Sequence, residues 1–161
     1  PEQGAMRLPL LLGGGVFLLL LGGYTLLSPW LDLSAISGNL QAKEGFTAAT
    51  FPLAALYITF GNSLLEELFF RGFAFLALYR SGYKKLAWTF SAIAFALYHV
   101  SIMDGWFHPA LLVLLTSGLA CAGLLFNALD AKSQTIWPGW LVHMGANLAI
   151  NTIALHLWGI I

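Results

Sequence analysis

Thr50-Phe51-Pro52-Leu53-Ala54-Ala55-Leu56 and Gly72-Phe73-Ala74-Phe75-Leu76-Ala77-Leu78 flank the segment Glu66-Glu67-Leu68-Phe69-Phe70-Arg71. Two adjacent carboxylates and a guanidinium therefore interrupt a long apolar run. Each ionised group near a bilayer centre costs roughly 2.5–3.5 kcal/mol on insertion scales. Three of them oppose insertion by about 8–10 kcal/mol before any pairing. A cluster with that cost reads as a functional site.

The rest of the chain agrees that the solvent is lipid. Its 161 residues are 59% hydrophobic and only 9% charged, against about 25% charged in soluble domains, and mean hydropathy is +0.81. Net charge is zero, and no basic patch suits a nucleic acid. The single cysteine, Cys121, excludes an intrachain disulfide framework.

Five spans of bilayer length are expected, near Leu8–Leu27, Leu53–Tyr79, Leu86–Met103, Phe107–Leu129 and Ile136–Trp158. The first follows Arg7 as a signal peptide would. It is long and lacks a clear small-x-small cleavage site, so it reads as a retained span. Pro52 and Gly61 leave open whether Phe46–Phe60 is a separate interfacial or re-entrant piece. Polar linkers are expected at Asp32–Gly45, Arg80–Lys85, Asp104-Gly105 and Asp130–Gln134. The fold class is thus an all-α polytopic transmembrane bundle in a single domain over 1–161, with the motif-bearing core at about 46–158.

Trp30, Trp88, Trp106, Trp137, Trp140 and Trp158 all fall near span ends, where indole rings favour the interface. With five crossings, Arg7, Arg80, Lys84, Lys85 and Lys132 share one side and Lys43 lies on the other. That asymmetry predicts a cytoplasmic N-terminus.

Three polar groups stand out within the spans. Glu67 and Arg71 are four residues apart, on one helical face where they can pair. Glu66 is turned about 100° away and stays outside that pair. Arg71 would hold Glu67 ionised and leave Glu66 for general-base work. Phe95-x-x-x-His99 lies on the third span and His143-x-x-x-Asn147 on the fifth. Glu66 is 13 residues before Tyr79 and His99 is 13 after Leu86. Antiparallel neighbours would bring both to one depth, roughly 20 Å from their connection. One pocket could then hold a carboxylate and an imidazole to activate water, with a second imidazole and an amide to stabilise an oxyanion. That set suffices for peptide hydrolysis. No serine or cysteine stands in a nucleophile context, since Ser63, Ser91, Ser101 and Ser117 are isolated.

Glu-Glu-x-x-x-Arg, Phe-x-x-x-His and His-x-x-x-Asn, in that order on successive apolar segments, resemble the CPBP intramembrane proteases. That family comprises the CAAX prenyl endopeptidases and bacterial proteins linked to bacteriocin processing or immunity. The resemblance covers about Asn62–Asn151 and implies a helical membrane bundle in a bacterial cytoplasmic membrane. It implies that Glu66 and His99 activate the water, that His143 and Asn147 stabilise the oxyanion, and that Glu67 and Arg71 orient the base. Its implied substrate is a membrane-anchored protein or peptide. The chain is shorter than typical CAAX endopeptidases, which leaves room for peptide maturation or C-terminal sorting-tag processing.

No cofactor is expected, because glutamate and histidine alone can do this work. The alternative is zinc held by Glu66, His99 and His143, a ligand set acceptable by type but lacking His-Glu-x-x-His. Two other functional classes stay open: a non-catalytic immunity or scaffold protein, and an ion-coupled carrier, whose relays also use intramembrane Glu, His and Arg. His108 and His156 read as interfacial, Asn62 and Asn151 as interhelical hydrogen-bonding residues or else as lining the pocket, and Phe95 as packing for His99. Gly13-Gly14-Gly15 and Gly22-Gly23 read as close-packing or flexible points of the first span. The Arg80–Lys85 run reads as a topology and anionic-lipid signal.

Overall fold

A computed structural model describes residues 6–30 and 33–161. Among the described residues six helices make up the fold: α1 (Arg7–Leu27), α2 (Ser34–Glu44), α3 (Phe51–Arg80), α4 (Lys84–Met103), α5 (Pro109–Ser133) and α6 (Trp137–Leu157). No strand occurs among the described residues. Helix is the expected solution in lipid, because it satisfies every backbone polar group within the segment.

Four of these helices are long and apolar enough to cross a membrane: α1 with its terminal turn (Arg7–Trp30), α3, α4 and α5. The segment expected to be the fifth span forms helix α6, of 21 residues, which is not among those four. Its sequence explains the lower hydropathy, with His143, Asn147, Asn151 and His156 on one helix. The helix is apolar enough to bury but too polar to face lipid all round.

The second span runs without a break from Phe51 to Arg80, so Phe51–Phe60 belongs to α3 and forms no separate re-entrant piece. Pro52 stands in the first turn, where its missing N–H has no intrahelical partner to lose. Two linker expectations are corrected. Most of Asp32–Gly45 is α2, which ends at Gly45 with φ 69°, a left-handed cap that glycine adopts without steric cost; Asp32 lies outside the described residues. Asp130 is the other correction: it belongs to α5 and is completely buried.

Side-chain contacts fix the two ends of the bundle. Arg80 donates from Nε to Gln134 Oε1 at 3.0 Å and from Nη2 to the Gln134 carbonyl at 2.6 Å, tying the end of α3 to the α5–α6 turn. Lys43 donates to the Asp104 carbonyl at 2.7 Å, tying α2 to the α4–α5 loop at the opposite end. Helix α1 runs parallel to α6. Gly13 lies against Leu141, Val142 and Gly145, and Tyr24 OH meets His156 Nδ1 at 2.8 Å. A Cβ on Gly145 would collide with the Gly13 carbonyl, so the two glycines permit close backbone approach. Gly14, Gly15, Gly22 and Gly23 have open space where a Cβ would go. Leu11, Leu18, Leu19 and Leu26 of α1 are about 70% exposed or more, an apolar outer surface that suits acyl chains.

Polar groups, by contrast, line the inside. Ser91 Oγ donates to the Phe70 carbonyl at 2.8 Å and meets Asn127 Oδ1 at 3.1 Å, joining α3, α4 and α5. Asn151 donates to the Ala55 carbonyl and Thr59 Oγ1, the interhelical role expected of it. Trp140 Nε1 donates to Ser63 Oγ at 3.0 Å, linking α6 to α3. Those two serine hydroxyls are committed to the scaffold.

Candidate active site

Helix α3 carries the Glu pair on the five-residue α-helical stretch Ser63–Glu67, between π-helical stretches at Tyr57–Asn62 and Leu68–Ala77. Wider π turns recur at functional sites because they re-aim side chains that regular α-helix would send elsewhere. Here both carboxylates are buried, with 8% exposure for Glu66 and none for Glu67. The two nonetheless meet different neighbours.

Glu67 faces charge. Its Oε1 lies 3.2 Å from Arg71 Nη1 and 2.8 Å from His143 Nδ1. The Arg71 guanidinium is wholly buried and sits between rings, with its Cζ 4.0 Å from the Phe95 centroid and 4.8 Å from Phe126. Its three nitrogens find no hydrogen-bond acceptor among the described residues. Coulombic attraction and cation–π contact therefore hold the charge, rather than a bidentate fork. The expected Glu67–Arg71 pair is present.

Glu66 faces the imidazoles. Its Oε2 is 3.7 Å from His99 Nε2 and 3.7 Å from His143 Nε2. Asn62 Nδ2 donates to its other oxygen, Oε1, at 2.5 Å. The expectation of equal depth for Glu66 and His99 is met by contact. Of the two expectations for Asn62, the pocket-lining one holds: its partner is Glu66 one turn along its own helix, not a neighbouring helix. The i, i+4 spacing carried that signal.

Each imidazole has one nitrogen already committed. His99 Nδ1 lies 2.8 Å from the Phe95 carbonyl. A carbonyl only accepts, so Nδ1 carries the proton and neutral His99 presents a bare Nε2 to Glu66. His143 Nδ1 is likewise held by a carboxylate, that of Glu67. Both Nε2 atoms thus converge on one Glu66 oxygen. The three ligand atoms lie within 4.8 Å of one another, and outer hydrogen bonds of this kind orient metal-bound histidines. The donor set fits a divalent ion by number and type.

Asn147 follows one turn beyond His143 on α6, where its Nδ2 donates to the Ile58 carbonyl at 3.2 Å. That bond leaves its second N–H available, and the side chain is half-buried. His108 caps the start of α5 and is exposed.

Three residues contribute more than their sequence context signalled. Phe126 covers Arg71 and stacks on His143 at 5.7 Å with an interplanar angle of 21°, but an aromatic in an apolar helix looks like core. Phe95 does more than pack, since its ring lies under Arg71 and its carbonyl orients His99. The third is Asp130, whose Oδ1 accepts from the Gly139 N–H at 2.8 Å.

With this geometry established, comparison with known proteins is informative. A family model described as type II CAAX prenyl endopeptidase Rce1-like matches residues 48–149. The match spans more than half of the chain and includes Glu66, Glu67, Arg71, His99, His143 and Asn147. No match was found among curated proteins or among solved structures.

Proposed function

The chain belongs to the Rce1-like type II CAAX prenyl endopeptidase family, and from that premise we propose that it is an intramembrane endopeptidase of glutamate type. The convergence of both imidazole Nε2 atoms on Glu66 Oε2 is the observation that carries this reading. Its substrate is a membrane-anchored protein or peptide, with peptide maturation or removal of a C-terminal sorting tag as the biological setting. We place the protein in a bacterial cytoplasmic membrane, with Arg7, Arg80, Lys84, Lys85 and Lys132 on the cytoplasmic side.

In the proposed reaction Glu66 takes a proton from a water positioned with His99. The water oxygen forms a bond to the scissile carbonyl carbon, and the carbonyl oxygen becomes an oxyanion. His143 and Asn147 stabilise that charge, Asn147 through the N–H not used on Ile58. Because Nδ1 of His143 is committed to Glu67, it can donate from Nε2 only as an imidazolium. Glu67 is the counter-charge for that form. Collapse of the intermediate breaks the C–N bond, and the proton on Glu66 passes to the leaving amine nitrogen. Asn62 holds the idle oxygen of Glu66, so Oε2 is the one that moves protons. Arg71 keeps Glu67 an acceptor throughout. The surrounding low dielectric strengthens each of these contacts.

A second reading is favoured by the histidine tautomers. Neutral His99 and His143 with bare Nε2 atoms, beside Glu66, would hold a divalent metal such as zinc. A bound metal supplies Lewis-acid polarisation of the carbonyl and a more acidic water. In that reading Phe95 and Glu67 orient the two histidine ligands.

The test follows cleavage of co-expressed membrane-anchored candidates by mass shift, for wild type, Glu66→Gln and His99→Ala, with EDTA and zinc arms. Loss of a defined product in both variants at normal protein levels supports the protease. EDTA resistance supports the metal-free mechanism, and EDTA loss with zinc recovery the metal one. Cleavage that persists in both variants would contradict this assignment and favour the scaffold or carrier classes.

A further inference from the structure

Asp130 is a wholly buried carboxylate that the proposed reaction does not use. It lies in the last turn of α5, and its Oδ1 accepts the backbone N–H of Gly139 in the first turn of α6. A carboxylate there satisfies an N–H that α6 cannot pair within itself and complements the positive end of its dipole. Gly139 is where two acidic side chains meet. A Cβ on it would lie 2.8 Å from Asp130 Oδ2 and 3.1 Å from Glu67 Oε2. Those two oxygens are buried and have no hydrogen-bond partner among the described residues.

Helix α6 is therefore gripped at two points one turn apart. Asp130 of α5 holds Gly139, and Glu67 of α3 holds His143. Four residues of α-helix advance about 6 Å and return to nearly the same face, so both grips act on one side of α6. With the Trp140–Ser63 bond between them and the Asn147 and Asn151 bonds further along, they constrain the rotation of the first turns of α6, and that rotation bears on where His143 Nε2 points. His99 is held differently, by the Phe95 carbonyl of its own helix.

We propose that Asp130 is a positioning residue for His143, acting through the first turn of α6, with Gly139 as the bare seat that lets the Asp130 and Glu67 carboxylates close on that turn. The kinetic side of this proposal rests on the protease reading; the structural side does not.

The test uses the full chain in nanodiscs, labelled with ¹⁵N-histidine, as wild type, Asp130→Ala, Asp130→Asn and Gly139→Ala. Four histidines are present, so single His→Gln variants assign the ring signals. The expected result is selective. Asp130→Ala and Gly139→Ala move or broaden the His143 ring signals and leave those of His99 in place. Asp130→Asn keeps an oxygen for the Gly139 N–H and stays near wild type. With a cleavable reporter, Asp130→Ala lowers kcat about tenfold, the size of one buried hydrogen bond, with KM unchanged and Asp130→Asn restoring most of it. Unchanged His143 signals in Asp130→Ala and Gly139→Ala would overturn the proposal. So would equal disturbance of His99 and His143, because a general loosening of the fold is then enough. If Asp130→Ala does not fold, Gly139→Ala and Asp130→Asn decide by the same spectra. Should wild type cleave no reporter, the protease reading is at fault, and the histidine spectra still decide the positioning role.

Discussion

Glu66 and Glu67 are neighbours in sequence, equally acidic in isolation and both buried, yet the fold gives them opposite surroundings. Glu67 has no exposure and is spent on Arg71 and His143. Glu66 keeps 8% exposure and one amide partner, and its second oxygen faces two imidazoles without a hydrogen bond. The about 100° that separates consecutive helical residues sends one carboxylate to the scaffold and the other to the proposed site of reaction. A paired charge belongs to the architecture, and an under-used one is available for chemistry.

The comparison can be broken first at Glu67. Glu67→Gln removes the counter-charge from a buried guanidinium, a loss that typically costs about 3–5 kcal/mol. Thermal unfolding followed by tryptophan fluorescence should show a strongly lowered Tm. A Tm within a degree of wild type would remove Glu67 from the architecture. Asn147→Ala sharpens the other half. As an oxyanion donor Asn147 is worth about 10²–10³ in kcat, and single-turnover cleavage in nanodiscs measures it. A purely interhelical Asn147 would lower Tm and leave kcat alone. Asn62→Ala is the mildest perturbation, removing one hydrogen bond from Glu66 Oε1. It should lower kcat about 3–10-fold, as expected for about 0.5–1.5 kcal/mol, with Tm unaffected. A shift in Tm with constant kcat would instead place Asn62 with the scaffold.

Much of this was legible in the chain because lipid is an unforgiving background. Glu66, Glu67, Arg71, His99 and His143 stand out against apolar runs, and the short Arg80–Lys85 connection placed Glu66 and His99 at one depth. The structure adds what spacing could not carry. Asp130 borders Lys132, Ser133 and Gln134, so the last turn of α5 looked like the loop that follows it. Helix α2 buries Ile36 and Leu40, but two large apolar residues among Ser, Gly, Asn, Gln, Lys and Glu read as a linker. Phe126 is one aromatic among many, and only its position over Arg71 gives it a role. The family match covers residues 48–149, which includes the whole motif set but not α1. That first helix joins the bundle through α6, where Gly13 meets Gly145, and contributes none of the residues in the proposed reaction.

One measurement bears on the whole account: kcat for cleavage of a membrane-anchored reporter by Glu66→Gln against wild type, in nanodiscs matched for folded fraction. Glutamine keeps the shape of Glu66 and its bond to Asn62 but cannot accept a proton from water. The account predicts a fall of about 10²–10⁴, the usual worth of a general base, with Tm no lower than wild type. Cleavage at the wild-type rate would contradict it, and the division between Glu66 and Glu67 would then be one of packing alone.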